Sequence, residues 1–423
     1  MGQISVMTSK PGHIVVGASA AGVAAAIAIR KAGYAGAISV IDSDPNQLYE
    51  RPPLSKSLVG GVGDAALKPI LPSEIYQSHD IELRLGVGVD ALDVDRHLVM
   101  LRDGSALAAD HVVLATGVTA RRLPVPGADL ANVLTLPDAA DARAVSACLA
   151  TGGPLVIVGG GFIGLELAAV ARENGITVTV IELASLPLIG VTGREVAELV
   201  HRLHADRGVQ FRLGVSVAAF AGTSVVEGVE LNDGEHVPAQ TVVVGVGVLS
   251  QVALAEAAGL EVDRFGIVVD RFGNTSHPWV SAAGDVASRP HPALATRGRI
   301  EHWDVAQRHG AAVGASIAGT ATPFDATPYA WSDQYGLMLQ MFVRAHPGDE
   351  IVLRRGGVPE RFLAFWLRDG RVGAIAGLDS AREVDVGKRL IEARVPLDAA
   401  QLQDPDLDLR QLLKNATRAP SRP

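Results

Sequence analysis

LVIVGGGFIGLELAAVARENGITVTVIE, residues 155–182, decides the fold. Its apolar opening, Leu155–Val158, reads as a buried parallel strand. Gly159, Gly161 and Gly164 follow in G-x-G-x-x-G spacing, and an Ala-rich helical pattern begins at once. The first glycine permits a tight turn, the second lets backbone approach a pyrophosphate, and the third lets helix pack on strand. Unpaired N–H groups and the positive dipole end at the helix start suit the phosphates. A second strand over 177–181 ends in Glu182, where an acidic side chain can accept hydrogen bonds from ribose hydroxyls. Strand, turn, helix, strand and acid arrive in order, which a chance glycine turn would not supply.

The same unit occurs earlier, over 13–42: HIVVGASAAGVAAAIAIRKAGYAGAISVID. Gly17, Ser19 and Gly22 take the glycine positions, with Ser19, small enough to leave the approach open, in the middle. The acid after this strand is Asp42 or Asp44, because the chain reads IDSDP. Two such units in one chain predict two dinucleotides with electrons passing between them. Each is followed by a matching appendix, LVMLRDGSALAADHVVLATG at 98–117 and VEGVELNDGEHVPAQTVVVGVG at 226–247. Both read as strand, Asp-Gly turn, strand and buried strand, the turns being Asp103-Gly104 and Asp233-Gly234. The buried strands end in small residues, as a chain passing close under a cofactor needs.

Bulk properties narrow the function classes. At 423 residues the chain should hold two or three domains, and 48% apolar against 20% charged residues is an ordinary soluble composition. A net charge of −9 argues against wholesale binding to nucleic acid or acidic membrane. No apolar run reaches transmembrane length and residues 1–11 lack a signal-peptide core, so a cytoplasmic protein is expected. Cys148 is the only cysteine, which leaves no intramolecular disulfide, no C-x-x-C pair and no thiolate metal cluster. It reads as a small buried hydrophobe in a helix begun by Pro137-Asp138.

Between and after the two units lie further signals. Tyr49-Glu50-Arg51-Pro52-Pro53-Leu54-Ser55-Lys56 places a lysine on a proline-stiffened, extended segment. Ser281-Ala282-Ala283-Gly284-Asp285 reads as a strand delivering a carboxylate before a helical stretch over 301–317 that carries Trp303. From about Ala326 the pattern becomes strands with a hairpin at Asp369-Gly370, then a helix from Ser380 with Glu383 completing a capping box. The tail after Pro396 is polar and is expected along the surface.

Taken together, GASAAG at 17–22, RPPLSK at 51–56, ATG at 115–117, GGGFIGLE at 159–166, AAGDV at 282–286, EHW at 301–303 and WSDQ at 331–334 resemble one family. It is the FAD- and NADH-dependent ferredoxin reductases that serve bacterial Rieske-type oxygenases and haem monooxygenases. The likeness covers essentially the whole chain. It implies an α/β fold with two Rossmann-like dinucleotide-binding domains, glutathione-reductase-like, plus a C-terminal α+β domain. The implied boundaries are 1–118 with 249–325 for FAD, 119–248 for NAD and 326–423 for the C-terminal domain.

The resemblance also implies the site. FAD falls to Gly17, Ser19, Ala21, Gly22, Asp42 or Asp44, Arg51, Pro53, Lys56, Ala115, Thr116, Gly117, Arg121, Gly284, Asp285, Trp303 and Trp331. NADH falls to Gly159, Gly161, Phe162, Ile163, Gly164, Glu182, Gly245, Val246 and Gly247. Lys56, paired with Glu166, stands for the cation that favours an anionic reduced flavin, and Trp303 and Trp331 for walls that limit water. No metal site is expected. Ser19 departs from the family pattern, as do Asp304 and His309 in DVAQRHG.

The implied function is NADH-dependent reduction of a [2Fe–2S] ferredoxin that feeds an oxygenase. Rubredoxin reduction, or a redox protein like the apoptosis-inducing flavoproteins, keeps the same fold. Cysteine-dependent peroxide or disulfide reduction needs a thiol near the flavin, and the first 147 residues contain none. Docking of an acidic ferredoxin needs a local basic patch, for which Arg289, Arg297, Arg299 and Arg308 are the candidates, with Arg354 and Arg355 next. A monomer or weak homodimer is expected.

Overall fold

The computed structural model describes residues 5–6, 11–56, 67–294, 297–343, 345–346, 348–358 and 360–418. Most of the 1–11 stretch read for a signal peptide lies outside them. The chain divides into two compact units, Met1–Pro52 with Leu67–Thr119 and Val248–Pro328, and Pro53–Ala66 with Ala120–Gly247 and Tyr329–Pro423.

In the first unit, Ile81–Leu85, Ile38–Asp42, Gly12–Val16 and Ser105–Leu114 lie side by side in parallel, with Val280–Ala282 also parallel against Ser105–Leu114. Their β-branched residues are buried on both faces, Val15, Val40, Val112 and Val113 completely so. The strand Ser105–Leu114 serves two sheets. Its first half pairs antiparallel with Leu98–Leu101 across the Asp103-Gly104 turn, and its second half runs parallel to Gly12–Val16. The short strand and buried strand read separately in the sequence are therefore one bent element, with a register shift between Gly12 and His13 where it changes partners.

The helix Ala20–Lys31 lies against Trp303–Ile317. Small residues make this possible: a Cβ on Gly310 would sit 2.1 Å from Ala21 O, and one on Gly314 2.3 Å from Ala25 O.

The second unit repeats the arrangement. Gln210–Leu213, Val178–Glu182, Leu155–Val158, Thr241–Val244 and Val133–Leu134 form a parallel sheet in that order. The strands Val226–Leu231 and His236–Pro238 form the second Asp-Gly hairpin, which Val217–Gly222 extends. The same unit holds an antiparallel sheet in the order Tyr329–Gln334, Leu337–Phe342, Arg371–Leu378, Phe362–Arg368, Glu350–Arg355. At its Asp369-Gly370 turn both residues have positive φ, 51° and 69°, as a tight hairpin requires.

One face of that sheet packs Ala330, Leu339, Met341 and Trp366 on Leu165, Val196, Val200 and Leu203. Each such buried leucine contributes roughly 1.5–3 kcal/mol. The other face is covered by the helices Ala381–Ala393, Ala399–Gln403 and Leu409–Arg418.

Two local expectations are corrected. The tail after Pro396 is not merely a surface strap: it folds into two short helices that bury Leu402, Leu409 and Leu412, spaced so that the apolar residues share one side. Ser380 precedes the helix but does not cap it. Its hydroxyl donates to Leu378 O at 3.0 Å, and Glu383 is drawn to Arg361 at 2.7 Å instead of returning to the helix start.

Candidate dinucleotide sites and a buried charge cluster

In the first unit, Gly17 has φ +105°, and a Cβ there would lie 2.3 Å from Ala115 O. A Cβ on Gly22 would lie 1.9 Å from Gly17 O, so only glycine lets the helix Ala20–Lys31 start this close to the strand. Ser19 stands at the N-cap without making a capping bond through its side chain, which leaves the helix's first N–H groups facing outward.

Asp42 and Asp44 are now distinguished. Asp42 Oδ2 accepts the Ala18 N–H at 2.6 Å and its Oδ1 the Asp44 N–H at 2.9 Å. Asp44 accepts instead from Asn46 N, 2.9 Å, and from the Tyr49 hydroxyl, 2.9 Å. Both line a cleft with Ala18, Ser19, Tyr49 and Arg51.

Asp285 follows Gly284, whose φ is +76° and whose N–H donates to His309 Nδ1 at 3.1 Å. The Asp285 Oδ1 atom is buried and without a hydrogen-bond partner among the described residues. Burial pushes its carboxyl up to about 7, helped by Glu301 and opposed by Arg299, Arg51 and Arg289. A buried oxygen with no donor fits a ligand hydroxyl, and together with the Gly17 cradle it fits a flavin dinucleotide. His309, a departure from the family pattern, is buried and its ring is held neutral by that burial, which leaves Nδ1 as the acceptor for Gly284. Trp303, at the helix start, is half-buried against the core of this unit.

The second unit holds the matching turn. Gly159 has φ +110° and a Cβ there would meet Gly245 O at 2.3 Å, while one on Gly164 would meet Gly159 O at 2.2 Å. A Cβ on Gly161 would meet nothing within 4 Å, so the space before it is open. Glu182 Oε2 accepts the Gly160 N–H at 2.6 Å and Oε1 the Ala184 N–H at 2.7 Å. Phe162 and Ile163 open the helix, and Ile163 is about half exposed. Gly245–Gly247 closes the far side, with Arg121 N donating to Gly247 O at 3.0 Å. Leu183 is 72% exposed beside Glu182.

Lys56 and Glu166, expected as a pair, meet in this unit within a larger cluster. Lys56 Nζ lies 3.4 Å from Glu166 Oε1 and 3.0 Å from Asp333 Oδ2. Ser55 Oγ donates to Glu166 Oε2, and Ser332 Oγ donates to Oε1 at 2.7 Å. Glu166 is buried, which pushes its carboxyl above the usual range against the pull of Lys56, Ser55 and Ser332. Ser55, Ser332 and Asp333 were not singled out individually in the sequence, although RPPLSK and WSDQ contain them. Trp331, two places before Asp333 on the same strand face, stacks on Tyr329 with centroids 5.7 Å apart.

The arginine patch is corrected. Arg289 is 3% exposed and lies 4.7 Å over the Phe324 ring, and burial pulls its guanidinium down to about 10. Arg297 donates to Val269 O at 2.6 Å and Ser288 O at 2.8 Å. Arg299 donates to Phe265 O at 3.0 Å and pairs with Glu301 at 2.6 Å. Arg297 and Arg299 are engaged by internal carbonyls and Arg289 is buried over a ring, so their charge is not displayed. Arg308, 40% exposed and paired with Asp304 at 3.2 Å, is the one of the four that faces outward to that degree. Of the reserve candidates, Arg354 donates to Pro405 O and Leu407 O, and Arg355 is exposed.

Two glycine-turn units, each closed by a carboxylate that accepts two backbone N–H groups, define a two-dinucleotide oxidoreductase. Residues 11–310 match the pyridine nucleotide-disulphide oxidoreductase family and residues 329–413 the reductase C-terminal family. The chain belongs to the former, among its ferredoxin reductases; it is an oxidoreductase whose cofactors are FAD and NAD(H). It is 34% identical to rhodocoxin reductase of Rhodococcus erythropolis over 94% of this chain and 93% of that one. It is 37% identical to the anthranilate 1,2-dioxygenase system ferredoxin–NAD(+) reductase component of Burkholderia cepacia, covering 96% of this chain and 100% of that one. Among solved structures, a ferredoxin reductase from Rhodopseudomonas palustris superposes with a TM-score of 0.91 at 33% identity, over 96% of this chain and 100% of that one. The reductase of a covalent putidaredoxin reductase–putidaredoxin complex gives 0.91 at 32%, over 97% and 100%. No helix among the described residues is long and apolar enough to cross a membrane.

Proposed function

We propose that this chain carries electrons from NADH to a [2Fe–2S] ferredoxin that feeds an oxygenase. The observation that carries the reading is the repeated acid cradle: Asp42 on Ala18 N and Glu182 on Gly160 N take the same place in two glycine turns. Two such turns fit two dinucleotides. The names of the relatives, reductase components of dioxygenase systems and a reductase captured with putidaredoxin, supply the acceptor class.

FAD is assigned to 1–118 with 249–325 and NADH to 119–248. A bound FAD would supply the link between a two-electron donor and one-electron acceptors. The chain's own residues bind and orient. Asp42 offers its remaining lone pairs to the flavin dinucleotide's ribose, and Asp285 Oδ1 accepts from a hydroxyl of the same ligand. Glu182 takes the NADH ribose. Lys56, held between Glu166 and Asp333, supplies a positive charge for the reduced cofactor, and Trp303 and Trp331 exclude water.

NADH-driven reduction of cytochrome c with and without added [2Fe–2S] ferredoxins tests the reading. Stimulation by ferredoxin is expected. Stimulation by rubredoxin alone would move the chain to the rubredoxin reductases, and indifference to every carrier would remove the electron-transfer assignment.

A further inference from the structure

We propose that His204 is a positioning residue for Glu166, acting through Gln334 and Ser332 along a one-way chain of hydrogen bonds that ends on the Glu166 carboxylate. The four residues come from three elements of the second unit. His204 lies near the end of the helix Ile189–Ala205, Ser332 and Gln334 are alternate residues on the strand Tyr329–Gln334, and Glu166 lies on the helix Phe162–Glu173. His204, Ser332 and Gln334 are 0% exposed and Glu166 5%.

The direction of the chain follows from its fixed end. An ionised carboxylate only accepts. Ser332 has one hydroxyl hydrogen, and it is spent on Glu166 Oε1 at 2.7 Å. The Ser332 oxygen can then only accept from Gln334, 3.2 Å away, so the amide NH₂ faces Ser332. That turns Gln334 Oε1 toward His204 Nε2 at 2.9 Å, and the imidazole must carry its hydrogen there. Nδ1 is left to accept from the Tyr335 hydroxyl at 3.2 Å. Every donor from Tyr335 onward points toward Glu166. Bonds aligned in this way polarise one another, by ~10–30% each.

Burial keeps the imidazole neutral. It draws His204 down to about 4 against the opposing pull of the Gln334 hydrogen bond, and Arg207 and His201 push the same way as burial. Burial raises the Tyr335 hydroxyl to about 12, so it stays a donor beneath the Arg207 guanidinium, 4.7 Å from its ring, with Arg172 and Glu173 beyond. Around Glu166 stand Lys56, Ser55 and Ser332, with Asp333 on the other side of Lys56. His204 has a partner at both nitrogens, and the orientation these partners impose sends its one N–H toward Gln334 and so along the chain to Glu166. Whether a shift at Glu166 is felt at FAD rests on the reading of Lys56 given above. The coupling of His204 to Glu166 does not.

Holoenzyme labelled with carboxyl-¹³C glutamate and ¹⁵N histidine tests the coupling, with the Glu166 resonance assigned by Glu166→Gln. In the wild type His204 should be the neutral Nε2–H tautomer at pH 7; an Nδ1–H tautomer would overturn the proposal without any variant. His204→Leu should move the Glu166 titration upward, because the last donors lose their alignment. His204→Gln keeps an N–H near the Nε2 position and should restore the wild-type titration. Equal titrations in wild type and His204→Leu, or equal upward shifts in both variants, would overturn it. Anaerobic flavin potentials measured against pH on the same samples separate the two ideas. A Glu166 shift with the flavin potential unmoved supports the hydrogen-bond chain and shows that it is not felt at the flavin.

Discussion

Asp333 Oδ2 lies 3.0 Å from Lys56 Nζ, nearer than the Glu166 oxygen at 3.4 Å that the sequence paired with it. The ammonium is therefore shared between a buried carboxylate and a half-exposed one, a cluster with one more negative than positive charge. Lys56→Met should leave FAD bound and push Glu166 further toward its protonated form. If Lys56 serves the flavin as proposed, the change should also lower the flavin midpoint potential at neutral pH, because a cation favouring the reduced ring is lost. A change on the order of 1–2 kcal/mol corresponds to some tens of millivolts for a two-electron couple. An anaerobic redox titration reads this directly, and an unchanged potential would mean that Lys56 serves only the fold.

Cofactor choice should follow Glu182. Its two oxygens already hold the Gly160 and Ala184 N–H groups, and its neighbour is the exposed Leu183 where a 2′-phosphate would want an arginine. A phosphate there meets a fixed carboxylate and, in Leu183, a side chain with no charge to offer, a loss of ~2–4 kcal/mol. NADH should accordingly exceed NADPH in kcat/KM by well over tenfold. Comparable efficiencies in steady-state kinetics would overturn the Glu182 assignment.

The helix pair in the first unit should tolerate no added methyl. Gly310→Ala places Cβ 2.1 Å from Ala21 O, which is backbone and cannot swing away. The helices must separate, at a cost of about 1–3 kcal/mol. Gly319→Ala is not an adequate control, because Gly319 has φ +92°; Gly190→Ala, with open space around the new Cβ, is. Thermal denaturation of both variants should show a lower Tm for Gly310→Ala and little change for Gly190→Ala.

How much of this was legible beforehand depended on how local the signal is. The two glycine turns, the acids that close them and the Asp-Gly hairpins are each written within about thirty residues, and periodicity reads such elements well. The bent strand Ser105–Leu114 was divided in two because Asp110-His111 interrupts the apolar pattern close to where the strand changes partner. The inward turn of Arg289, Arg297 and Arg299 was invisible for a different reason. Their acceptors are carbonyls and a ring brought close by the fold, among them Val269, Phe265 and Phe324, and backbone carbonyls have no sequence signature. The Ser332–Gln334–His204 chain spans 130 residues and was missed likewise.

Stability should fall in mild acid. His111 is partly buried with Nε2 at 2.9 Å from Ser281 Oγ, and burial draws it down to about 4, with His13 adding to the shift. The folded value is depressed, so the stabilisation is present above the unfolded value near 6.5 and is lost as pH falls toward 4. On the order of 3 kcal/mol is at stake for a shift of this size. Urea midpoints measured from pH 7 to 4.5 should fall steadily. His111→Gln, which can still bond Ser281, should flatten that slope, and an unaltered slope would move the acid sensitivity to other groups.

Ferredoxin docking is the remaining test, and the inward arginines change which substitution to make. Arg289→Glu would bury a carboxylate against Phe324 where a cation now lies, so it should unfold the first unit and say nothing about docking. Arg308, 40% exposed although its guanidinium lies 5.9 Å from the Phe324 ring, can face an acidic partner, and Asp304 at 3.2 Å tempers but does not bury its charge. Steering by a surface charge acts mainly on association and fades as salt screens it beyond ~8–10 Å. Arg308→Glu should therefore raise the apparent KM for ferredoxin severalfold at low salt, with the difference narrowing as salt is added. NADH oxidation by ferricyanide, a small acceptor that needs no docking face, should scarcely change. If Arg308→Glu leaves ferredoxin turnover and its salt dependence as they were, the exposed Arg355 becomes the next position to reverse.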